Sequence, residues 1–159
     1  MVNSYKPHVL VLPEDDANRE LADGFHLEVD WFRQRQMQVL RVAHGWRRVL
    51  DLFKSVHVIE MDRNPKRFMV LLIDFDDQPE RLDLVKADIP PALADRVFVL
   101  GAKSAPEDLK ATLGSYETIG KALADDCRND TYTTWADNLL QHNASELARL
   151  REHVRPILF

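Results

Sequence analysis

Acidic residues stand directly after apolar segments at two points of the chain, and their types and spacing suit divalent-metal chemistry. The run FMVLLI, residues 68 to 73, gives way at once to DFDD, and the run HVLVL, residues 8 to 12, is followed by Pro13 and Glu14. Alternate residues of an extended chain point the same way, so Asp74 and Asp76 can share an ion while Phe75 turns into the core. Carboxylate oxygens are hard ligands, which favours Mg²⁺ or Mn²⁺ over zinc.

The apolar runs that precede these acids predict strands, and segments with helical spacing separate them. Strands are predicted at residues 8 to 12, 37 to 43, 68 to 73 and 96 to 100, and helices at 15 to 29, 46 to 61 and 79 to 87. Alternation of this kind indicates a parallel sheet with right-handed crossovers and helices on both faces. The predicted fold class is therefore α/β, a three-layer α/β/α arrangement of the Rossmann-like type around a four-stranded parallel sheet.

The character of the chain changes after Gly101, where no further strand is predicted. Helical patterns cover residues 106 to 113, 116 to 128 and 131 to 153, and the chain ends on the apolar segment RPILF. A chain of 159 residues can bury a core as one domain. We expect a single domain over residues 1 to 159, with an α/β core at 8 to 113 and a helical extension at 114 to 159.

The predicted strands bring the acidic residues to one edge of the sheet. Ligands of an open parallel sheet bind outside the carboxyl ends of the strands, and the first and third strands deliver Glu14, Asp74 and Asp76 to that edge. Two carboxylates about 4 Å apart repel by roughly 4 kcal/mol at an effective dielectric near 20, so acids on neighbouring strands would have to be protonated, kept apart or neutralised by a cation. The alternative is that the acids of DFDDQPE only cap the helix that follows them.

Basic residues are concentrated in one stretch of an otherwise acidic chain. The net charge of -5 argues weakly against bulk attraction to nucleic acid, but residues 31 to 67 hold nine basic against three acidic side chains. Arg33, Arg35, Arg47 and Arg48 are the candidates for contact with a polyanion. The alternative is that these charges are the solvated faces of a helix and its loops.

The sequence predicts a soluble, unprocessed protein of the cytoplasm. Cys127 is the single cysteine and has no partner for an internal disulfide, which suits a reducing compartment. The N-terminal apolar run is too short for a signal peptide, and no stretch approaches membrane-spanning length.

Three motifs follow one another along the chain: HVLVLPEDD with Glu14, the turn AHGW, and LLIDFDD with Asp74 and Asp76. Taken in this order they resemble the TOPRIM domain of topoisomerases, primases, the ribonuclease that matures 5S RNA and the overcoming-lysogenization-defect nucleases. The resemblance covers residues 8 to 113 and implies divalent-metal phosphodiester chemistry. On that template Glu14 is a general acid/base or a metal ligand, Asp74 and Asp76 bind Mg²⁺, and Glu107 resembles the acid that holds a second ion. Asp15 stands where the family has glycine.

The expected function is that of a nuclease-like hydrolase that acts on DNA or RNA, and two alternatives stay open. VLPEDDANRE also resembles the acidic pair of response-regulator receivers, in which case Asp74 would be the phosphoacceptor with Lys103 and Ser104 near it. The third alternative is a non-catalytic interaction protein on the same fold, which binds a protein partner or a second copy of the chain.

Overall fold

The computed structural model describes all 159 residues, and its regular elements alternate along the chain as the sequence predicts. The strands are β1 (His8–Pro13), β2 (Met37–Val39), β3 (Arg67–Leu72) and β4 (Val97–Leu100). The helices are α1 (Asp16–Leu27), α2 (Trp46–Leu52), α3 (Val58–Arg63), α4 (Glu80–Ala87), α5 (Pro106–Leu113), α6 (Tyr116–Asn129), α7 (Ala144–His153) and α8 (Arg155–Leu158). A π turn at Phe53–His57 joins α2 to α3, and short 3₁₀ helices cover Trp31–Gln36, Pro91–Arg96 and Gln141–Asn143.

All four strands run parallel in the order β2-β1-β3-β4. The central pair, β1 and β3, is matched over six residues, from His8 opposite Arg67 to Pro13 opposite Leu72. This order reverses at β1, so the topological switch point at which such sheets bind ligands lies between the carboxyl ends of β1 and β3. The predicted α/β class and its parallel sheet are confirmed.

The sheet separates two apolar cores, one on each face. Val9 and Val11 of β1 point into a core shared with α1, α5, α6, α7 and α8, while Leu10 and Leu12 point into a core shared with α2, α3 and α4. Strands buried on both faces require a continuous apolar sequence, which is what HVLVL and FMVLLI provide. The chain thus forms the three layers that its alternating pattern predicts. No helix in the structure is both long enough and apolar enough to cross a bilayer.

Helices α1 and α6 pack closely because each has a glycine at the contact. A Cβ atom on Gly24 would lie 2.3 Å from the carbonyl oxygen of Glu117, and one on Gly120 would lie 2.1 Å from that of Leu21. Neither helix could approach the other this closely with a side chain at those positions. Gly24 lowers helix propensity in the middle of α1, and this contact explains its presence there.

Two predicted elements are shorter in the structure. The second strand, predicted to extend to residue 43, ends at Val39. The amide of Leu40 still donates to the carbonyl of Val11, but the next carbonyl of β1 in the pairing, that of Pro13, accepts from Ala43 instead of residue 42. One extra residue therefore interrupts the pairing.

The predicted helix at residues 131 to 153 was wrong in its first half, since α7 begins only at Ala144. The carboxylate of Asp126 accepts hydrogen bonds from the backbone amides of Thr133, Thr134 and Trp135 and fixes a turn in place of a helix. The apolar C-terminal segment packs back onto the domain, where Ile157 and Leu158 are buried.

The exposed edge of β4 is closed by side chains of the segment that begins α7. The amide of Asn143 pairs with both backbone groups of Gly101, and the buried carboxylate of Glu146 accepts the N–H of Val99 at 2.9 Å. Lys86 and Arg149 neutralise Glu146 at 2.6 and 2.9 Å. Side chains thus satisfy the backbone groups that a fifth strand would otherwise pair with, which keeps this edge from pairing with another chain.

The substitution Glu146→Ala should destabilise the fold by about 2 to 4 kcal/mol, because it leaves the Val99 amide unsatisfied and two cations without their acid. Urea unfolding measures the change. Glu152→Ala removes an exposed acid from the same helix and should shift the free energy of unfolding by less than about 0.5 kcal/mol. Equal effects of the two substitutions would contradict the role given to Glu146.

Candidate functional site

The contact between Glu14 and Asp74 extends the pairing of β1 and β3 beyond the ends of both strands. The N–H of Glu14 donates to the carbonyl of Leu72 at 2.9 Å, and the N–H of Asp74 donates to Oε2 of Glu14 at 2.7 Å. The predicted convergence of these two acids at the carboxyl edge is therefore present. It follows from the adjacency of the two strands.

Asp74 is enclosed by polar groups of the loop and helix that follow β1. Asp74 is only 5 % exposed, and its Oδ1 accepts a hydrogen bond from Nδ2 of Asn18 at 3.1 Å. The carboxyl group of Asp15 lies within hydrogen-bonding reach of that of Asp74. Arg81 donates to the backbone carbonyl of Asp74 at 2.7 Å, so the nearest cation binds the main chain of Asp74 and leaves its carboxylate without a counter-ion.

Burial and neighbouring charge keep Asp74 protonated at neutral pH. Burial is the largest cause, and the negative charges of Asp15 and Glu14 add to it, so that the pKa of Asp74 rises to about 8. Burial also raises the pKa of Glu14 above its usual range, against the opposing effect of the hydrogen bond from Asp74. Such a group of acids is a place where a cation would be favourable, because it would relieve the repulsion between carboxylates.

Asp76 does not join this group. The chain turns through left-handed backbone conformations at Asp76 and Asp77, with φ of 48° and 56°, so the alternation expected of an extended chain ends at Phe75. Phe75 is buried as predicted, but Asp76 extends into solvent and binds Arg81 at 2.9 Å. No group of three or more His, Cys, Asp or Glu side chains in the chain is arranged to hold a metal ion.

The oxygen atoms around Asp74 nevertheless fit a small hard cation. Asn18 is fully buried beside Asp74, and its Oδ1 has no hydrogen-bond partner. Together with the carboxylates of Asp15 and Asp74 it offers only oxygen donors. Mg²⁺ keeps several waters and needs only one or two protein carboxylates, and a substrate phosphate completes its shell.

Asp15 and Asn18 are the residues of this site that the sequence patterns missed as contributors. Asp15 is the N-cap of α1 and accepts the backbone amide of Asn18 at 2.9 Å, so one short loop places both side chains against Asp74. The available signal was that Asp15 and Asn18, an acidic side chain and an amide side chain, stand three residues apart at the start of a helix. It indicates a cap, and only the position of β3 shows that both residues also face the site.

Glu107 lies apart from the cluster, on the first turn of α5, and is exposed. The phenol of Tyr116 stands within electrostatic range of Glu107, Asp15 and Asp74, whose charges add to burial in raising the pKa of Tyr116. Glu107 thus borders the same edge of the sheet. Its role at a second ion, which the TOPRIM resemblance implies, stays a prediction.

The four arginines proposed to contact nucleic acid lie at opposite ends of the strands, two at the amino end of β2 and two beyond its carboxyl end. Arg33 and Arg35 belong to the 3₁₀ helix that precedes β2, and Arg33 donates to the C-terminal carbonyls of Pro156 and Phe159. Arg47 and Arg48 follow β2 in the first turn of α2, are exposed and belong to the carboxyl edge. The four side chains therefore do not form one continuous face.

No family model, curated protein or solved structure matches this chain.

The raised pKa of Asp74 predicts how stability depends on pH. Because this pKa is higher in the folded state than in the unfolded chain, the carboxyl group favours folding most below about pH 4, and that contribution is lost as the pH rises through about 8. Asp74→Asn removes this dependence and keeps a neutral group of the same shape. The variant should therefore gain stability relative to wild type as the pH rises above about 4, by about 5 kcal/mol at pH 8 to 9, because each pKa unit corresponds to about 1.4 kcal/mol.

Urea unfolding at a series of pH values measures this difference. Asp77→Asn is the control, since it changes an exposed acid in the same loop whose left-handed backbone Asn also tolerates. The control should follow the wild-type pH dependence. Parallel stability curves for wild type and Asp74→Asn would contradict the assignment of Asp74.

Proposed function

We propose that the carboxyl edge of this sheet binds Mg²⁺ or Mn²⁺ and carries out phosphodiester chemistry on a nucleic acid. The observation that carries the proposal is the buried carboxyl of Asp74, placed between Glu14 and Asp15 with a pKa of about 8 and no cation against it. Strongly perturbed carboxyl groups at the switch point of a parallel sheet are typical of functional sites.

The residues of the chain have distinct parts in this proposal. Asp74, Asp15 and the free amide oxygen of Asn18 hold the cation, which supplies positive charge to a phosphate oxygen and activates a water. Glu14 has a raised pKa and one carboxylate oxygen that Asp74 does not occupy, so it can accept or return a proton. Asp76 remains the further acid of the motif. The DFDD loop positions it at the rim, where it is paired with Arg81.

Substrate contact is proposed for the exposed arginines at the same edge. Arg47 and Arg48 lie in the first turn of α2, and neither has an ion-pair partner. Guanidinium groups bind phosphate with two parallel hydrogen bonds, so such residues suit a nucleic-acid backbone. We retain the cytoplasm as the proposed location, because the single thiol, Cys127, is buried and has no disulfide partner.

The receiver-like alternative is less well supported. The segment that begins α7 covers the edge of β4 where a receiver would continue with a fifth strand, and the hydroxyl of Ser104 is bonded to Asp108 at 2.7 Å.

The interaction-protein alternative has one observation in its favour, at the opposite edge of the sheet. Trp31 is 85 % exposed and packs edge-to-face against the exposed ring of Phe32, an arrangement that suits contact with a partner.

Thermal stability in the presence of a cation tests the metal site. Mg²⁺ or Mn²⁺ near a hundredfold excess over its dissociation constant should raise the Tm of wild type by about 5 to 10 °C. Asp74→Asn should lose most of this shift, whereas Asp77→Asn, which changes the exposed acid of the same loop, should keep it. A wild-type Tm that does not respond to either cation would exclude the site.

Cleavage of labelled single-stranded DNA and RNA tests the chemistry. Cleavage should require Mg²⁺ or Mn²⁺ and should fall by about 10²-fold or more in Glu14→Gln, which removes the group that moves the proton. Glu20→Gln changes an exposed acid on α1 and should cleave like wild type. Cation binding without cleavage of either polymer would leave the metal site standing and refute the nuclease activity.

A further inference from the structure

Arg81 occupies an unusual place beside the proposed cation site. It lies in the first turn of α4, where the helix dipole disfavours a positive charge. Its side chain is only 12 % exposed, and one guanidinium nitrogen donates both to the carbonyl of Asp74 at 2.7 Å and to the carboxylate of Asp76 at 2.9 Å. These two oxygens offset the unfavourable position, so Arg81 serves as the internal counter-ion of Asp76.

The ring of Trp46, in the connection that follows β2, packs against the guanidinium group of Arg81. The guanidinium carbon of Arg81 lies 4.8 Å from the centre of that ring, and the guanidinium carbon of Arg47 lies at the same distance from it. Trp46 begins α2, directly after the turn that follows β2. A planar guanidinium that rests on an aromatic ring can change its hydrogen-bond partner without leaving its support.

The loop that carries Asp76 is held in a conformation that side chains rarely adopt. Asp76 and Asp77 are consecutive left-handed residues, and the loop is fixed by hydrogen bonds from the amide of Asp77 to Lys103 and from that of Gln78 to Phe75, both 2.8 Å long. Backbone strain of this kind costs about 1 to 3 kcal/mol per residue. The side chain of Asp76 is 54 % exposed, so it is free to turn once its partner leaves.

We propose that Arg81 is an exchangeable counter-ion that couples substrate binding to cation binding. Without substrate, Arg81 neutralises Asp76 and keeps it away from the cation. When a phosphodiester binds, Arg81 turns its planar donors to the phosphate, and Asp76 is released to the cation as an additional ligand. This inference rests on the proposed cation site, and it names a phosphodiester monoanion as the ligand of Arg81.

Such an exchange has a thermodynamic signature, because coupling between two ligands is reciprocal. A phosphodiester should increase the affinity for Mn²⁺, and Mn²⁺ should increase the affinity for the phosphodiester by the same factor. We expect a factor of about 5 to 10, at the lower end of common coupling between sites.

Isothermal titration of Mn²⁺ with and without dimethyl phosphate, the smallest diester, measures this factor. Wild type should show the coupling. Arg81→Met keeps a long side chain over Trp46 but frees Asp76, so it should bind Mn²⁺ more tightly than wild type without the diester and show a smaller coupling factor, that of direct phosphate contact with the ion alone. Asp76→Asn should show the same reduced factor, and because Asp76 is exposed this variant tests the exchange even if Arg81→Met does not fold. Glu80→Gln changes an exposed acid next to Arg81 in the first turn of α4 and should keep the coupling.

The outcomes separate this inference from the function on which it rests. A wild type that binds no Mn²⁺ overturns the cation site and the exchange together. Mn²⁺ binding that dimethyl phosphate does not strengthen overturns the exchange alone. Coupling that is as large in Arg81→Met or in Asp76→Asn as in wild type means that the diester acts on the ion only directly, and it also overturns the exchange.

Discussion

The parallel pairing of β1 with β3 is the constraint on which the rest of the structure depends. Six matched residue pairs bring the two strands to a common end, and the contact continues as the N–H of Asp74 donates to Glu14. The same strands have apolar residues on both faces, which places a helical layer on each side and closes the site from below. The acids are therefore held together by hydrophobic burial, against their own repulsion, and that repulsion makes the edge receptive to positive charge.

Two different cations are used at this edge in our account. Arg81 is provided by the fold and neutralises Asp76 at the rim, where the charge remains accessible to solvent. The interior carboxyl of Asp74 has no such partner and is kept neutral by a proton at ordinary pH. A divalent ion would displace that proton, because it offers more favourable electrostatics to several oxygens at once. Protonation without the divalent ion and binding of that ion are thus two ways to avoid an unpaired negative charge on the buried Asp74.

The sequence was sufficient to predict the sheet and the meeting of Glu14 with Asp74, because both follow from apolar runs and from the rule that parallel strands end at one edge. It was insufficient for Asp76. Alternation assumes an extended backbone, and nothing in DFDD announces that Asp76 and Asp77 turn left-handed or that Arg81 lies in reach. The helix predicted from Thr131 failed for a related reason, since a single buried carboxylate, that of Asp126, outweighs local helix propensity. Asp15, which stands where the TOPRIM domain has glycine, is a neighbour of Asp74. Specific side-chain contacts that no apolar pattern encodes decided each of these cases.

The central claim is that Asp74 is a buried carboxyl group that is protonated without a cation and ionises when a cation binds. Carbon-13 NMR of the Asp side-chain carboxyl groups, titrated with and without Mg²⁺ and assigned with the Asp74→Asn variant, tests it most directly. Asp74 should titrate near pH 8 without the cation and ionise at clearly lower pH when Mg²⁺ is added. An Asp74 carboxyl that titrates near pH 4 and ignores Mg²⁺ would contradict the account.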